Sequence, residues 1–200
     1  MSSGGFFSGF IVVYILYNKI MKKKKIYHVR NTCWKIAHDV IYVNYYLKSR
    51  HIGKTNACPF CGKIETVSHL FISYKFASPL NKHLLTLFNR SAQTKLLLSE
   101  SVFRFFQFSF PDSIRRDLLL ILLSESRHVI WLCRNSVKHE NKVVSPAAII
   151  FKFDSRIKAR ILIDFERLAI DEFINLWCKN GFCTYDESTK LVTFSELYNH

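Results

Sequence analysis

Residues 34–77 run WKIAHDVIYVNYYLKSRHIGKTNACPFCGKIETVSHLFISYKFA and hold the features that decide the fold. The centre of this stretch, residues 53–65, is polar and contains Cys58-Pro59-Phe60-Cys61-Gly62. On both sides of it, apolar residues recur at three- and four-residue steps, which is the spacing of one face of an α-helix. The pattern therefore predicts helices on either side of a small cysteine-containing knuckle.

Both helical segments that flank the knuckle are expected to be interrupted. Residues 28–50 have helical spacing, but β-branched side chains between residues 40 and 43 disfavour a helix, so two helices with a kink are predicted. Helical spacing resumes over residues 68–89. Pro79 is expected to break that segment in two, because proline has no backbone N–H to donate.

The C-terminal half is predicted to contain two long helices and a hairpin. Pro111-Asp112-Ser113 is expected to open the first helix, with the proline at the first helical position. Ser145-Pro146 is a cap followed by proline and predicts the start of the second helix. Gly181 is expected to end the helices, and residues 182–185 and 190–194 are expected to pair as β-strands.

The fold class predicted is mainly α: an irregular helical bundle with a small zinc-knuckle-like insertion near residues 55–70 and a C-terminal β-hairpin. Three regions are expected along the 200 residues. They are an apolar and basic segment over residues 1–25, a zinc-binding-like domain over residues 26–90, and a helical region over residues 91–200 that ends in the hairpin. This length suits one domain or slightly more.

The N-terminal segment combines an apolar run with a lysine cluster at residues 22–25. Residues 6–17 are almost wholly apolar, but this run falls short of the about 20 residues that a membrane-spanning helix needs. A signal peptide would carry its positive charge before the apolar run, and here the lysines follow it. The segment is predicted to be a first helix, with single-pass or peripheral membrane attachment through residues 6–25 as the alternative.

The net charge of +14 is unevenly distributed. Residues 1–99 hold fifteen Lys and Arg residues against two acids, Asp39 and Glu65. Residues 100–200 hold fourteen Lys and Arg residues against thirteen acids. A basic front half beside a nearly neutral back half indicates an anionic partner, either nucleic acid or a membrane surface, at the front end.

The knuckle carries candidate metal ligands. Cys58 and Cys61 are separated by two residues, a spacing that lets two thiolates bind one zinc ion, and Gly62 allows the chain to turn after them. His69 is the candidate third ligand. A fourth ligand separated from His69 by four residues would fall on Tyr74, and a phenol is a poor zinc ligand at neutral pH. The alternatives for the fourth position are His83, His51, a water molecule or no ligand.

Together these residues resemble the zinc-binding domain that follows the reverse transcriptase in LINE-type non-LTR retrotransposon polyproteins. Trp34 and His38 match the start of that family's first helix, and residues 47–50 match its basic turn. The knuckle matches in order and spacing at Cys58, Pro59, Cys61, Gly62, Glu65, Thr66, His69, Leu70 and Phe71. The family's fourth ligand, a cysteine, falls on Tyr74, and residues 131–135 resemble more loosely the region beyond the domain.

The resemblance implies a piece of a mobile-element protein that contacts RNA or target DNA. It implies zinc as the cofactor and other parts of a retroelement polyprotein as further partners. No enzyme activity is expected. The metal site of a polymerase requires paired aspartates, and no two aspartates are adjacent in this sequence. An RNase H site, which needs acids on strands, is not expected either. A restriction-like nuclease at Asp112 and Asp117 is not expected, since a helix start explains these residues. A decaying domain without activity is a further alternative.

The predicted nucleic-acid contacts are basic residues on and before the knuckle. They are Lys22, Lys23, Lys24, Lys25, Arg30, Lys35, Lys48, Arg50, Lys54, Lys63 and Lys75. Such residues neutralise phosphates, so the binding is expected to weaken steeply with salt. The aromatic residues between them are expected to point into the core rather than to stack on bases; these are Tyr27, Trp34, Tyr45, Tyr46 and Phe60.

The remaining cysteines are expected to be buried free thiols. Cys33, Cys133 and Cys178 lie beside or near tryptophans on apolar helix faces. No secretion signal was identified in the sequence, so a reducing intracellular setting, nucleus or cytoplasm, is expected. Membrane association through the N-terminus is the alternative.

Overall fold

The computed structural model of the protein describes residues 27–97, 99 and 112–195, so the predicted N-terminal segment lies outside the described residues. The α-helices within these ranges are α1 (Tyr27–Ala37), α2 (Asn44–Ser49), α3 (Ala77–Ala92), α4 (Ser113–Glu140), α5 (Pro146–Arg167) and α6 (Ile170–Phe173). Five-residue π-helical segments lie at His69–Ser73 and Ile174–Cys178, and strands β1 (Cys183–Asp186) and β2 (Leu191–Phe194) follow. The predicted mainly α fold with a C-terminal hairpin is confirmed.

Helix α4 lies at the centre of the bundle, where α1, α3 and α5 all pack against it. Residues 118–130 of this helix are buried without interruption. Neighbouring helices surround α4, so its apolar residues are not confined to one face, as they would be in a helix at the surface. The consecutive apolar residues 118–123 match this all-round contact, as expected for a fully enclosed helix. A bilayer crossing needs about 20 mostly apolar residues, and no helix in the described ranges provides such a stretch.

Side-chain caps begin the two long helices. The Asp112 carboxylate accepts a hydrogen bond from the Ile114 backbone N–H at 2.8 Å, so Asp112 is the cap of α4 and Ser113 its first residue. The prediction that a proline occupies the first helical position of α4 is therefore wrong. The Ser145 hydroxyl accepts from the Ala148 N–H at 3.1 Å, and Pro146 is the first residue of α5, as predicted.

Both predicted interruptions in the front half occur, one of them at a different place. Helix α1 ends at Ala37 and α2 begins at Asn44, which confirms the kink expected around residues 40–43. The second break lies at residues 74–76, before the proline that was expected to cause it. Pro79 instead occupies the first turn of α3. Backbone N–H groups there have no partner within the helix, so the absence of an N–H in proline is tolerated.

The C-terminal hairpin follows the sequence prediction closely. Gly181 has a φ of +74° and separates the second π-helical segment from β1. The strands pair antiparallel, with Cys183 opposite Phe194 and Asp186 opposite Leu191. The Asp186 carboxylate accepts hydrogen bonds from the backbone N–H and the hydroxyl of Ser188 at 2.8 and 2.6 Å, which stabilises the connecting turn.

A buried ion pair joins the knuckle to the central helix. Arg134 of α4 donates from Nη2 to Glu65 Oε2 at 2.8 Å and from Nε to Oε1 at 3.2 Å. The Glu65 side chain is fully buried and that of Arg134 is 2% exposed. Such a two-bond contact between a guanidinium and a carboxylate has a defined geometry, so it sets how the knuckle sits on α4.

Asn44, the first residue of α2, extends this contact to a third element. Its backbone N–H donates to Glu65 Oε2 at 2.6 Å, and its side-chain amide donates to the Ala57 carbonyl at 2.6 Å. Its side-chain oxygen accepts from Arg134 at 3.2 Å and from Lys138 Nζ at 2.6 Å. The network therefore fixes α2, both sides of the knuckle and α4 relative to one another.

Replacing Glu65 by Gln should strongly destabilise the protein, because Arg134 would keep its buried charge without a counter-charge. Breaking a buried pair in this way costs about 3–5 kcal/mol. The free energy of unfolding in urea measures the loss. Glu140→Gln is the matched control, since Glu140 pairs with Lys142 at the surface, and it should leave the unfolding midpoint unchanged. Equal midpoints for the two variants would contradict the role given to Glu65.

Candidate metal centre and nucleic-acid face

The backbone of the knuckle turns tightly after its second cysteine. The Cys58 N–H donates to the Lys63 carbonyl at 2.6 Å, and the Gly62 N–H donates to the Cys58 carbonyl at 3.0 Å. Gly62 has a φ of +73°, a conformation that strains any residue with a Cβ atom. Ala57 and Ile64 pair as an antiparallel bridge that closes the loop. These bonds place both cysteine side chains on one short turn.

The three predicted ligands come together. One potential ligand atom from each of Cys58, Cys61 and His69 lies within 4.8 Å of the others, and Cys61 Sγ is 3.4 Å from His69 Nε2. The π-helical segment positions the histidine, and the His69 backbone N–H donates to Thr66 Oγ1 at 3.0 Å. Cys58 is buried, His69 is half-buried and Cys61 is exposed, so the cluster opens to solvent on one side.

The protonation states of the cluster are set mainly by burial. Burial raises the pKa of the Cys58 thiol, although hydrogen bonds from the Phe60 and Cys61 backbones oppose it. Burial also lowers the pKa of His69, which favours the neutral imidazole that a metal requires. Two sulfur atoms and one imidazole nitrogen are a donor set that suits zinc. The residues present therefore fit a zinc ion through three protein ligands.

Tyr74 lies at the sequence position that corresponds to a fourth ligand. Its side chain is buried, and its ring contacts Phe60, Phe76 and His69 at centroid distances of 4.8, 5.0 and 5.7 Å. Burial, and next the nearby Cys58 and Cys61, raise the pKa of its hydroxyl well above the ordinary value, so it stays protonated. Among the described residues, this hydroxyl has no hydrogen-bond partner. Tyr74 therefore encloses the cluster without supplying an anionic oxygen.

The other two histidines considered as ligands lie elsewhere. His83 on α3 places Nε2 2.8 Å from the Asp154 carboxylate of α5, so it joins two helices of the bundle. His51 is exposed and follows the C-terminus of α2, with a φ of +58°. In the described ranges, neither belongs to the group of Cys58, Cys61 and His69.

The predicted basic contacts divide into three groups. Lys22, Lys23, Lys24 and Lys25 lie outside the described residues. Arg30 and Lys35 on α1 are half-buried. The exposed residues are Lys48, Arg50, Lys54, Lys63 and Lys75. The structure thus leaves a set of exposed cations on α2, the knuckle and the loop before α3.

The prediction that the aromatic residues point inward is wrong for two of the five, and the side chain of Tyr27 lies outside the described part of the structure. Trp34 and Tyr45 are 43% and 53% exposed. Tyr46 and Phe60 are half-buried and pack against the core. Tyr42, which the sequence analysis did not single out, is also exposed, at 52%. Helical spacing alone does not predict which aromatic rings are exposed, because it does not show which neighbouring element covers a given face of the helix.

The expectation of buried free thiols is confirmed for two of the three cysteines. Cys33 and Cys133 are free and buried. Cys178 is free but only half-buried, and its sulfur lies 3.6 Å from that of Cys183. This contact arises because Gly181 turns the chain back at the end of the second π-helical segment.

The helical scaffold brings two cysteines of a glycine-containing turn close to a histidine of a π-helical segment, and together they form a group that could hold a metal ion. Residues 12–80 match the model of a protein family described as zinc-binding in reverse transcriptase. This match confirms the resemblance found over residues 34–77. The matched segment is a zinc-binding domain of the retrotransposon reverse-transcriptase type.

A curated relative extends the similarity beyond that segment. The chain is 30% identical over 151 residues to the transposon TX1 uncharacterized 149 kDa protein of Xenopus laevis. The aligned region makes up 74% of this chain and 11% of the relative, so the chain spans a small part of that protein's length. No solved structure matches the chain.

Replacing Tyr74 by Phe should maintain or raise the stability of the protein in the presence of a metal chelator. The hydroxyl is desolvated without a partner, and such a group costs about 1–3 kcal/mol. The free energy of unfolding in urea tests this, with the exposed Tyr45→Phe as a control that should change nothing. A clear loss of stability in Tyr74→Phe would show that the hydroxyl makes a favourable contact.

Proposed function

We propose that this chain is a non-catalytic nucleic-acid-binding part of a retroelement protein, and that its knuckle holds zinc through Cys58, Cys61 and His69. The observation that carries the proposal is the exposed positive charge around the knuckle. Lys48, Lys54 and Lys63 are exposed, and no ion pair involves them within the described part of the chain. A phosphate backbone is the partner that this charge suits.

The shortage of acids around the knuckle strengthens this argument. Residues 1–99 contain two acids, and one of them, Glu65, is fully buried against Arg134. Glu65 therefore neutralises an arginine of the back half rather than a surface lysine of the front half. The positive charges of Lys48, Lys54 and Lys63 remain at the surface, where they would attract a polyanion at a distance set by the ionic strength.

The placement of the back-half acids supports a non-catalytic role. Three of them are buried in contacts that tie elements together, rather than open to solvent. These contacts are Glu125 with Arg156, Asp154 with His83, and Asp164 with Arg160 and Trp177. Metal-dependent polymerases and nucleases instead need carboxylates grouped around a solvent-accessible position.

The role proposed for zinc is structural. When bound, the ion would crosslink the turn at Cys58 and Cys61 to the π-helical segment at His69 and so stabilise the knuckle. The Glu65 network holds the same knuckle from its other side. Two independent attachments would keep Lys54 and Lys63 in a fixed arrangement, which a phosphate-binding surface requires.

We expect the purified chain to contain about one zinc ion per molecule, and to bind it more tightly as the pH rises. The reason is that the Cys58 thiol, whose pKa burial raises, must lose its proton when the metal binds. Zinc content by elemental analysis and competition with a chelator measure both effects. Tyr74→Cys should bind zinc more tightly than the native chain, because it offers a third thiolate.

Ser73→Cys is the control for this variant, since it adds an exposed thiol beside the same position. It should bind zinc like the native chain. Zinc in Tyr74→Cys alone, with none in the native protein, would contradict the three-ligand site and would indicate that the site has lost its metal.

Nucleic-acid affinity should fall steeply as salt is raised, because each phosphate contact adds about 0.7–0.9 to the slope of log K against log salt. The triple variant Lys48→Ala, Lys54→Ala and Lys63→Ala should lower that slope by about 2–3. Fluorescence anisotropy with labelled RNA and DNA measures the slopes. Lys190→Ala, at an exposed position in the back half, should leave the slope unchanged. Binding that is independent of salt would contradict the proposed function.

A further inference from the structure

Aromatic side chains that are exposed or half-buried lie at the end of α1, in the segment between α1 and α2, and on α2. The Trp34 ring lies 4.6 Å from that of His38, between centroids. Tyr42 stacks on Tyr46 at 6.0 Å, with an angle of 27° between the ring planes. Because large exposed apolar groups are uncommon in clusters on a free surface, a group of them indicates a binding face. We call Trp34, His38, Tyr42, Tyr45 and Tyr46 the aromatic face.

A cavity of about 380 Å³ lies within this face. His38, Tyr45 and Tyr46 line one part of it, and Thr66 and Ser68 line another. The lining also includes one acid, Asp39. The volume falls in the range of about 300–1,000 Å³ that is usual for small-ligand sites. Its walls therefore combine flat rings with hydroxyl groups and one carboxylate, a set that suits a planar group with hydrogen-bond donors, such as a nucleobase.

Positive charge lies directly beside these rings. The Lys35 ammonium is 5.4 Å from the centre of the Tyr42 ring, and the Arg50 guanidinium is 5.6 Å from that of Tyr46. Arg50 also lines the cavity. Each cation stays near an electron-rich ring face while it remains within reach of a phosphate. The face thus offers stacking and phosphate neutralisation side by side.

We propose that the aromatic face binds single-stranded nucleic acid, with one unpaired base in the cavity and the flanking phosphates near Lys35 and Arg50. This inference rests on the proposed function and adds the form of the nucleic acid to it. Bases in a duplex are stacked on their neighbours and cannot enter a cavity, whereas every unpaired base has a free face for an aromatic ring. Exposed rings would contribute little to a duplex held through its phosphates alone.

The first test compares single-stranded and duplex oligonucleotides of the same length at one salt concentration. Single strands should bind the full chain about tenfold more tightly, and Tyr45→Leu should remove most of that preference. Phe151→Leu is the matched control, because Phe151 on α5 is 75% exposed and does not line the cavity, and this change should have no effect. Circular dichroism melting verifies that the variants remain folded, as the exposure of Tyr45 leads us to expect.

The second test uses the fluorescence of Trp34. Stacking on a base should quench it, whereas heparin, a polyanion without bases, should bind without quenching. The quenched signal should disappear in Trp34→Phe, since Trp177 is fully buried and Trp131 lies half-buried beneath Arg134.

The outcomes separate this inference from the proposed function. Salt-dependent binding that is equal for single strands and duplex, or that Tyr45→Leu leaves unchanged, would overturn the aromatic face and leave the proposed function standing. Quenching by heparin as strong as that by an oligonucleotide would also overturn it. An absence of binding to either nucleic acid would overturn both.

Discussion

The ion pair between Glu65 and Arg134 is the contact on which the arrangement of the knuckle depends. A carboxylate and a guanidinium that are both removed from water must satisfy each other closely, and here two hydrogen bonds and a bond from Asn44 do so. The pair also joins two separate similarities in the sequence. Glu65 belongs to the knuckle motif, and Arg134 belongs to residues 131–135, which resemble the region beyond it. Both regions are therefore parts of one structural unit.

This pairing also affects which charges of the front half remain at the surface. The back half supplies an arginine for one of the two front-half acids, so the surface lysines around the knuckle keep their positive charge. The aromatic face lies in the same part of the structure and carries its own cations at Lys35 and Arg50. Different charged residues therefore serve stability and binding. The buried pair of Glu65 and Arg134 joins the knuckle to α4, whereas the exposed cations remain available to phosphates.

Local patterns predicted much of the fold and the metal cluster. The spacing of Cys58, Cys61 and His69 constrains atoms that are near in sequence, and the structure groups these three as expected. Caps and turns such as those at Ser145 and Gly181 are equally local. Contacts between distant elements were not predictable in this way. Arg134 lies 69 residues from Glu65, and the enclosure of α4 and the outward rings depend on which helices become neighbours.

Nucleic acid is proposed to contact the basic and aromatic residues around the knuckle. Amide chemical-shift changes in an isotope-labelled full chain, titrated with a single-stranded oligonucleotide, would map this contact residue by residue. We expect shifts concentrated at α2 and the knuckle, around Tyr45, Arg50 and Lys63, with α5 and the C-terminal hairpin nearly unchanged. Shifts concentrated in α5 or the hairpin, or none at all at saturating oligonucleotide, would contradict it.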